Sequence, residues 1–372
     1  MLFLYTLWYN TGMKKLICLM LCLCLCLCGC GKEDSESRDF VSVWYITGQE
    51  PKGLETLVNE YNKSRPDGCL PVSLRAFPHE QALAAAFELR GPDLLLCYHG
   101  RAMQLYEQGV LTEVGAKTPV YNSGIRESFE FAGKSFFPIG SELQLLCENE
   151  ALFSEESLKN FELFCRSAME YSVENKKPVF TADDFSALFC HELLCMDTQF
   201  HGKLETDKNN ELFRYLYNML TEAAMEGALL STEYASVDII LDNALPYSMA
   251  NSRSLVYAKD MQVYPMPSFR DSLAYPAQCL GIAVTAGQGR SPESIAGFLD
   301  YVNQSENSAA LALASGLAPA VENQAEGENS LESCLLEIGA YYETYFTLES
   351  IDYMKNRLSF EAVFRNNLNR LY

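Results

Sequence analysis

The sequence predicts an α/β fold: a largely parallel sheet with helices on its faces. Three observations predict it. Strand-type and helix-type segments alternate from residue 41 to residue 108. Asp93–Cys97 (DLLLC) is apolar after its first residue, as suits a strand covered on both faces. After a more helical middle, the strand-then-helix style returns at Leu280–Val302.

Each element has a local reason. Val41–Tyr45 is rich in β-formers. Leu54, Leu57, Val58 and Tyr61 share one helical face, and Pro66 ends that helix. Val72–Phe77 is a second strand. His79–Arg90 is an alanine- and leucine-rich helix stopped by Gly91-Pro92. Asp93–Cys97 is the third strand, and Ala102–Gln108 a further helix. In such sheets ligands bind beyond the C-terminal strand ends, here Tyr45–Glu50 and Tyr98–Arg101. Asp183–Leu194, Leu212–Ala224 and Ile351–Leu371 have helical character. Leu280–Thr285 is a strand. Pro292 then opens a helix with Ile295, Phe298, Leu299 and Val302 on one face.

The N-terminal stretch LCLCLCLCGCGKED, residues 21–34, has a different purpose. Zinc-site cysteines come in loop-separated pairs, often with histidine. Here leucines separate them. Met13-Lys14-Lys15 is a cationic start, and Leu16–Cys28 is an apolar run too short to span a bilayer. That is the pattern of a signal peptide, and Met13 could open it as readily as Met1. Leu27-Cys28-Gly29-Cys30 resembles the lipobox of bacterial lipoproteins, which implies cleavage before Cys30 and lipidation of Cys30. Residues 1–29 are then the signal peptide. Residues 30–39 are the lipidated cysteine and a polar tether, whose last nine residues span roughly 15–18 Å as a coil.

Cleavage leaves 343 of the 372 residues, enough for two domains or one two-lobed unit. It also removes two lysines, taking the formal charge from −21 to −23. So acidic a chain excludes nucleic-acid binding through phosphates. The cysteines beyond Cys30 are Cys69, Cys97, Cys147, Cys165, Cys190, Cys195, Cys279 and Cys334. Most sit in apolar runs, which suits buried thiols, although an extracytoplasmic location permits disulfides.

Three segments in order resemble the extracellular solute-binding proteins of bacterial ABC importers, especially the maltodextrin-binding group. GPDLLLCYHGRAMQLYEQGVLTEV is similar to the family's Pro-Asp strand, helix and Gly-x-Leu turn, through Pro92, Asp93, Gly109 and Leu111. FFPIGSELQLLCENEALF resembles its lobe-crossing segment. Pro138 and Gly140 sit at the crossing, and Asn149, Leu152 and Phe153 match its ending, with Glu148 where the family carries tyrosine. The segment Ala274–Ala320 is similar to the return, closing on Gly316 and Pro319.

The resemblance implies a two-lobed, type II periplasmic-binding-protein-like fold with the ligand between the lobes. Residues 40–138 and 280–318 would form lobe 1. Residues 139–279 and 319–372 would form lobe 2. It further implies a substrate-binding lipoprotein at the extracytoplasmic face of the cell membrane. This would be a monomer that captures a small solute, foremost a sugar or oligosaccharide, and delivers it to permease subunits in the membrane. A ligand-presenting partner of a membrane sensor is the alternative on the same fold.

The expected ligand residues follow that placement. Trp44 and Tyr45 end the first strand, and Tyr98 and His99 follow the third. Ser141 and Glu142 lie past Pro138. Tyr247, Ser252 and Arg253 belong to a segment resembling one before a cleft loop, and Phe269 and Tyr275 flank the approach to the return strand. Aromatic faces stack on sugar rings, and carboxylates and amides hold hydroxyls. Trp44 is the only tryptophan after Cys30, so tyrosines would supply most of the stacking.

No catalytic motif, phosphate loop or dinucleotide fingerprint appears, and no cofactor is expected. CHELLCMDTQFH resembles the zinc pattern His-Glu-x-x-His with Cys195 in the second place. A zinc hydrolase using His191, Cys195 and His201 is the competing reading. An amphipathic helix burying Leu193, Leu194 and Cys195 explains the same residues without metal.

Overall fold

A computed structural model describes residues 39–122, 125, 135–196, 211–231, 244–258, 261–269, 274–285, 291–341, 343–346 and 351–371. The signal, Cys30, most of the tether and His201 lie outside them.

The chain opens with β1 (Val41–Ile46), α1 (Leu54–Ser64), β2 (Val72–Phe77), α2 (Glu80–Leu89), β3 (Leu94–Tyr98) and α3 (His99–Glu107). α1 buries the expected face of Leu54, Leu57, Val58 and Tyr61. The Nδ1 of His79 accepts the Ala82 amide at 3.2 Å and caps α2. α3 starts at His99, earlier than expected, which puts His99 inside its first turn.

Next come β4 (Phe136–Glu142), β5 (Gln144–Glu148), α4 (Glu155–Lys159), α5 (Phe161–Asn175), β6 (Phe180–Ala182), α6 (Phe185–Met196) and α7 (Glu211–Met225). They lead into β7 (Tyr247–Asn251), α8 (Ser252–Leu255), β8 (Gln262–Pro265) and the long β9 (Ala274–Val284). The chain closes with α9 (Pro292–Val302), α10 (Ser305–Ala314), β10 (Ala318–Pro319), α11 (Ser330–Tyr341), β11 (Glu343–Phe346) and α12 (Ile351–Leu368). Ser291 caps α9 by accepting the Ser294 amide, with Pro292 in the first turn.

Two sheets organise these elements. The first runs β10-β4-β9-β3-β1-β2, with β11 beside β9, and the second runs β6-β7-β5-β8. β1 is parallel to β2 and β3, as expected, but β9 is antiparallel to both β3 and β4. The sheet is therefore mixed, because β9 runs opposite to β3 and β4 and parallel to β11.

Alternation along the strands builds two cores on the first sheet. Val41, Val43, Leu94, Leu96, Leu280, Ile282 and Val284 pack on one face with α1 and α9. Trp44, Leu95, Cys97, Cys279 and Ala283 pack on the other with Leu83 and Leu105. A strand apolar throughout is what a two-faced sheet requires. Asp93 ties β1 to β3: its buried carboxylate accepts the Ser42 amide and hydroxyl, each at 2.7 Å. A third core surrounds the second sheet, filled by Phe161, Phe164, Phe180, Phe189 and Phe364 among others. Every described cysteine except Cys69 is buried.

The crossing between sheets differs from the expectation at Pro138–Gly140. β4 stays in the first sheet through Glu142, opposite Gln278, and Pro138–Gly140 marks a register shift. The chain changes sheet at Leu143. There the Ser252 amide donates to the Leu143 carbonyl at 2.8 Å, and the Leu143 amide donates to the Ser252 hydroxyl at 3.1 Å. This is the two-lobed α/β type II architecture that the sequence predicted. None of the helices among the described residues is long and apolar enough to cross a membrane.

Candidate functional site

The C-terminal ends of β1 and β3 meet α8 from the second sheet at the crossing, where a connected set of polar side chains gathers. Tyr98, at the end of β3, donates its hydroxyl to a Glu142 carboxylate oxygen. The other Glu142 oxygen accepts the Asn251 side-chain amide at 2.5 Å. Arg253 donates to the Tyr98 oxygen at 3.0 Å. Burial, followed by the adjacent Glu142 charge, pushes the Tyr98 phenol well above its usual value, so it remains a donor at neutral pH.

Beside this network lies a cavity of about 360 Å³. Its walls include Tyr45, Glu50, Lys52 and Leu74 from the first lobe, and Arg253 and Tyr257 from the second. Lys52 Nζ sits 3.9 Å from the centre of the Tyr257 ring. Tyr257 is 67% exposed, a large aromatic left open at the cavity. The lining thus combines two tyrosine rings with the Glu50 and Glu55 carboxylates and the Lys52 and Arg253 cations, residue types that suit ring stacking and hydrogen bonding to hydroxyls.

Of the residues expected at the cleft, Tyr45 and Arg253 line the cavity, and Tyr98 and Glu142 belong to the network beside it. The remainder have structural surroundings. Trp44 is 4% exposed and packs on Phe77 at 4.9 Å, with Arg75 over its face. Its neighbours in β1 alternate faces, and its own face is the one covered by α2. Trp44→Ala should therefore destabilise the protein by about 3–5 kcal/mol in a denaturant melt, without the loss of a cleft contact.

His99 is buried, and its Nδ1 accepts the Cys279 amide at 3.1 Å. Ser141 is buried in β4, with no partner for its hydroxyl among the described residues. Ser252 secures the crossing, as described above. The Tyr247 hydroxyl accepts the Leu152 and Phe153 amides, each at 3.0 Å, and donates to Glu148 at 3.1 Å. Tyr264 also donates to Glu148, so that carboxylate has two phenol partners. Phe269 packs edge-on against Phe161. Tyr275 donates to the Gln144 carbonyl and accepts the Met266 amide. Their aromatic character serves the third core, and backbone polar groups there need partners.

Asn251, Lys52 and Tyr257 escaped the sequence reading, whereas the Gly48–Glu50 loop falls within the Tyr45–Glu50 stretch expected to meet a ligand. Asn251 alone carried a signal, as a capping residue: its side chain accepts the Arg253 amide at 2.9 Å at the start of α8.

Of the competing metal reading, His191 Nε2 lies 3.7 Å from Cys195 Sγ, and His201 lies outside the described residues. His191, Glu192 and Cys195 are buried within α6, and among the described residues no group of three metal-ligating side chains gathers. Burial lowers the His191 imidazole to about 3 and raises the Glu192 carboxyl well above its usual range. Both shifts favour the uncharged form. A raised folded-state value means that Glu192 favours folding below its unfolded value near 4.3 and opposes it as pH rises. Glu192→Gln should therefore stabilise the protein at pH 7. Its advantage should grow by up to about 1.4 kcal/mol per pH unit above 4.3 until the folded carboxyl ionises, and shrink towards pH 4. Thermal melts across that range measure it.

The fold has counterparts among solved structures. A cyclic α-maltosyl-1,6-maltose binding protein from Arthrobacter globiformis superposes with a TM-score of 0.67 at 14% identity, covering 90% of this chain and 94% of that one. An ABC substrate-binding protein from Listeria monocytogenes, in complex with cycloalternan, gives 0.66 at 15% identity over the same shares. A bacterial solute receptor with an exclusive preference for β-D-galactopyranose gives 0.65 at 13% identity, covering 91% and 94%. No family profile matches the sequence, and no curated protein matches it. The likeness spans nearly the whole of both chains and establishes the two-lobed fold.

Proposed function

We propose that this protein is the substrate-binding component of an ABC importer, and that it captures a small saccharide between its lobes. The observation that carries the reading is the cavity walled by Tyr45 and Tyr257 beside the Tyr98–Glu142–Asn251 network. It joins ring-stacking faces to hydroxyl-binding groups, drawn from both lobes. The structural counterparts bind cyclic α-maltosyl-1,6-maltose, cycloalternan or β-D-galactopyranose, which supports a saccharide here. The cavity lies at the small end of ligand pockets, which run from about 300 to 1,000 Å³. A ligand touching both lobes binds the closed arrangement more tightly and shifts the population towards it. A permease then distinguishes loaded from empty protein.

In this reading the protein is a monomer anchored through lipidated Cys30 at the extracytoplasmic face, and the nine-residue polar tether gives it reach. Cys30→Ala should release it from the membrane fraction or block its maturation. Unchanged anchoring would refute the anchor while leaving the binding site untouched. For the ligand, the test is a thermal-shift screen over sugars, amino acids, polyamines and metal ions. A saccharide at 100 times its dissociation constant should add about 2.7 kcal/mol of stability. Stabilisation by an amino acid or metal alone would overturn the assignment.

A further inference from the structure

Arg253 does more than line the cavity. Its Nη1 donates to the Gln49 carbonyl at 3.3 Å and to Tyr98 at 3.0 Å. Its Nη2 donates to the Gly48 carbonyl at 3.3 Å and the Glu50 carbonyl at 3.1 Å. All four acceptors lie on the first lobe, in the loop after β1 and at the end of β3. Arg253 itself belongs to α8, beside the Ser252 that is bonded both ways to Leu143 at the crossing. The guanidinium is thus anchored at the hinge and reaches across the cleft.

The chemistry of the acceptors is informative. None is a carboxylate, so the contact is not an ion pair. Three successive carbonyls of one loop converge on a single planar fork, which suits guanidinium and not a point charge. These hydrogen bonds occupy Nη1 and Nη2 and commit Arg253 to the loop. Lys52, from the same loop, makes a second link by covering Tyr257 of the second lobe.

We propose that Arg253 is a positioning residue, a latch that holds the Gly48–Glu50 loop against the second lobe. The inference takes the cleft as the ligand site, as above. The latch preforms one wall of the cavity. Apparent affinity scales with the fraction of protein already in the competent state, so the latch strengthens binding without touching the ligand.

The test uses no ligand, so an error in the saccharide assignment leaves its result intact. Fluorescent labels are placed on Glu60 of α1 and Glu222 of α7, both exposed, through non-natural amino acids. The distance distribution is then read by energy transfer in wild type, Arg253→Ala and Arg253→Lys, each checked by its melting curve. Wild type should show both distances, with a short-distance population that the latch maintains. Arg253→Ala should raise the ratio of long-distance to short-distance molecules by about tenfold, from the loss of charge-assisted hydrogen bonds. Arg253→Lys should also shift it, because an ammonium cannot serve the same fork. Should Arg253→Ala fail to fold, Arg253→Lys decides alone. Distributions that coincide with wild type in every folded variant would overturn the latch.

Discussion

Gly316→Ala should destabilise the protein by about 2–5 kcal/mol. Gly316 has a φ of 70° and lies against α8. A Cβ there would sit 2.3 Å from the Ser252 carbonyl oxygen and 2.9 Å from the Arg253 Cα. Both neighbours are backbone atoms and cannot rotate away. The cost joins left-handed strain of roughly 1–2 kcal/mol to overpacking of about 1–3 kcal/mol. Gly68→Ala is the internal control. Its φ is 87°, but a Cβ there meets nothing within 4 Å, so only the strain of roughly 1–2 kcal/mol applies. Denaturant melts of the two variants separate close approach from backbone strain. Equal losses would mean that α8 is not packed tightly on Gly316.

Glu142→Ala should weaken saccharide binding by about 1.5–3 kcal/mol, roughly 10- to 150-fold in Kd. Glu142 is the last residue of β4 before the crossing at Leu143 and accepts hydrogen bonds from Tyr98 of the first lobe and Asn251 of the second. Its removal leaves two partly buried donors without their acceptor and takes the anionic centre out of the network. Hydrogen bonds to a charged acceptor are stronger than neutral ones, so the loss exceeds that of a serine or amide. Calorimetric titration of the variant with a saccharide that stabilises wild type measures the change. A Kd within about twofold of wild type would remove Glu142 from the site.

Much of the first lobe was legible because its elements are periodic. Leu54, Leu57, Val58 and Tyr61 mark α1 by spacing alone, and the unbroken apolar run in β3 announces a strand covered on both faces. The second lobe was less legible. Its strands β5–β8 are short, and Leu145, Leu146 and Cys147 are buried on both faces, so no alternation marks them. α5 did carry a signal: the Asn160 side chain accepts the Leu163 amide at 3.0 Å ahead of an apolar stretch.

The site divides in the same way. Tyr45, Tyr98 and Glu142 lie at strand ends, where sheet topology puts ligands. Trp44 also lies near a strand end, but its face of β1 is covered, and residue type alone cannot tell the two faces of such a strand apart. Tyr247 and Tyr275 were expected at the cleft for their aromatic rings. Their hydroxyls instead bond backbone groups of the second lobe. Lys52 and Tyr257 are far apart in sequence and belong to no motif, so only the folded chain brings them together.

The central claim is that a saccharide binds between the lobes, and hydrogen exchange tests it most directly. Backbone amide exchange should be compared with and without a stabilising saccharide. Protection should appear at Gly48–Gly53 and Tyr98 on the first lobe and at Asn251–Tyr257 on the second, in the same titration. Protection confined to one lobe, or centred on the far end of β5 around Glu148–Glu150, would contradict the account.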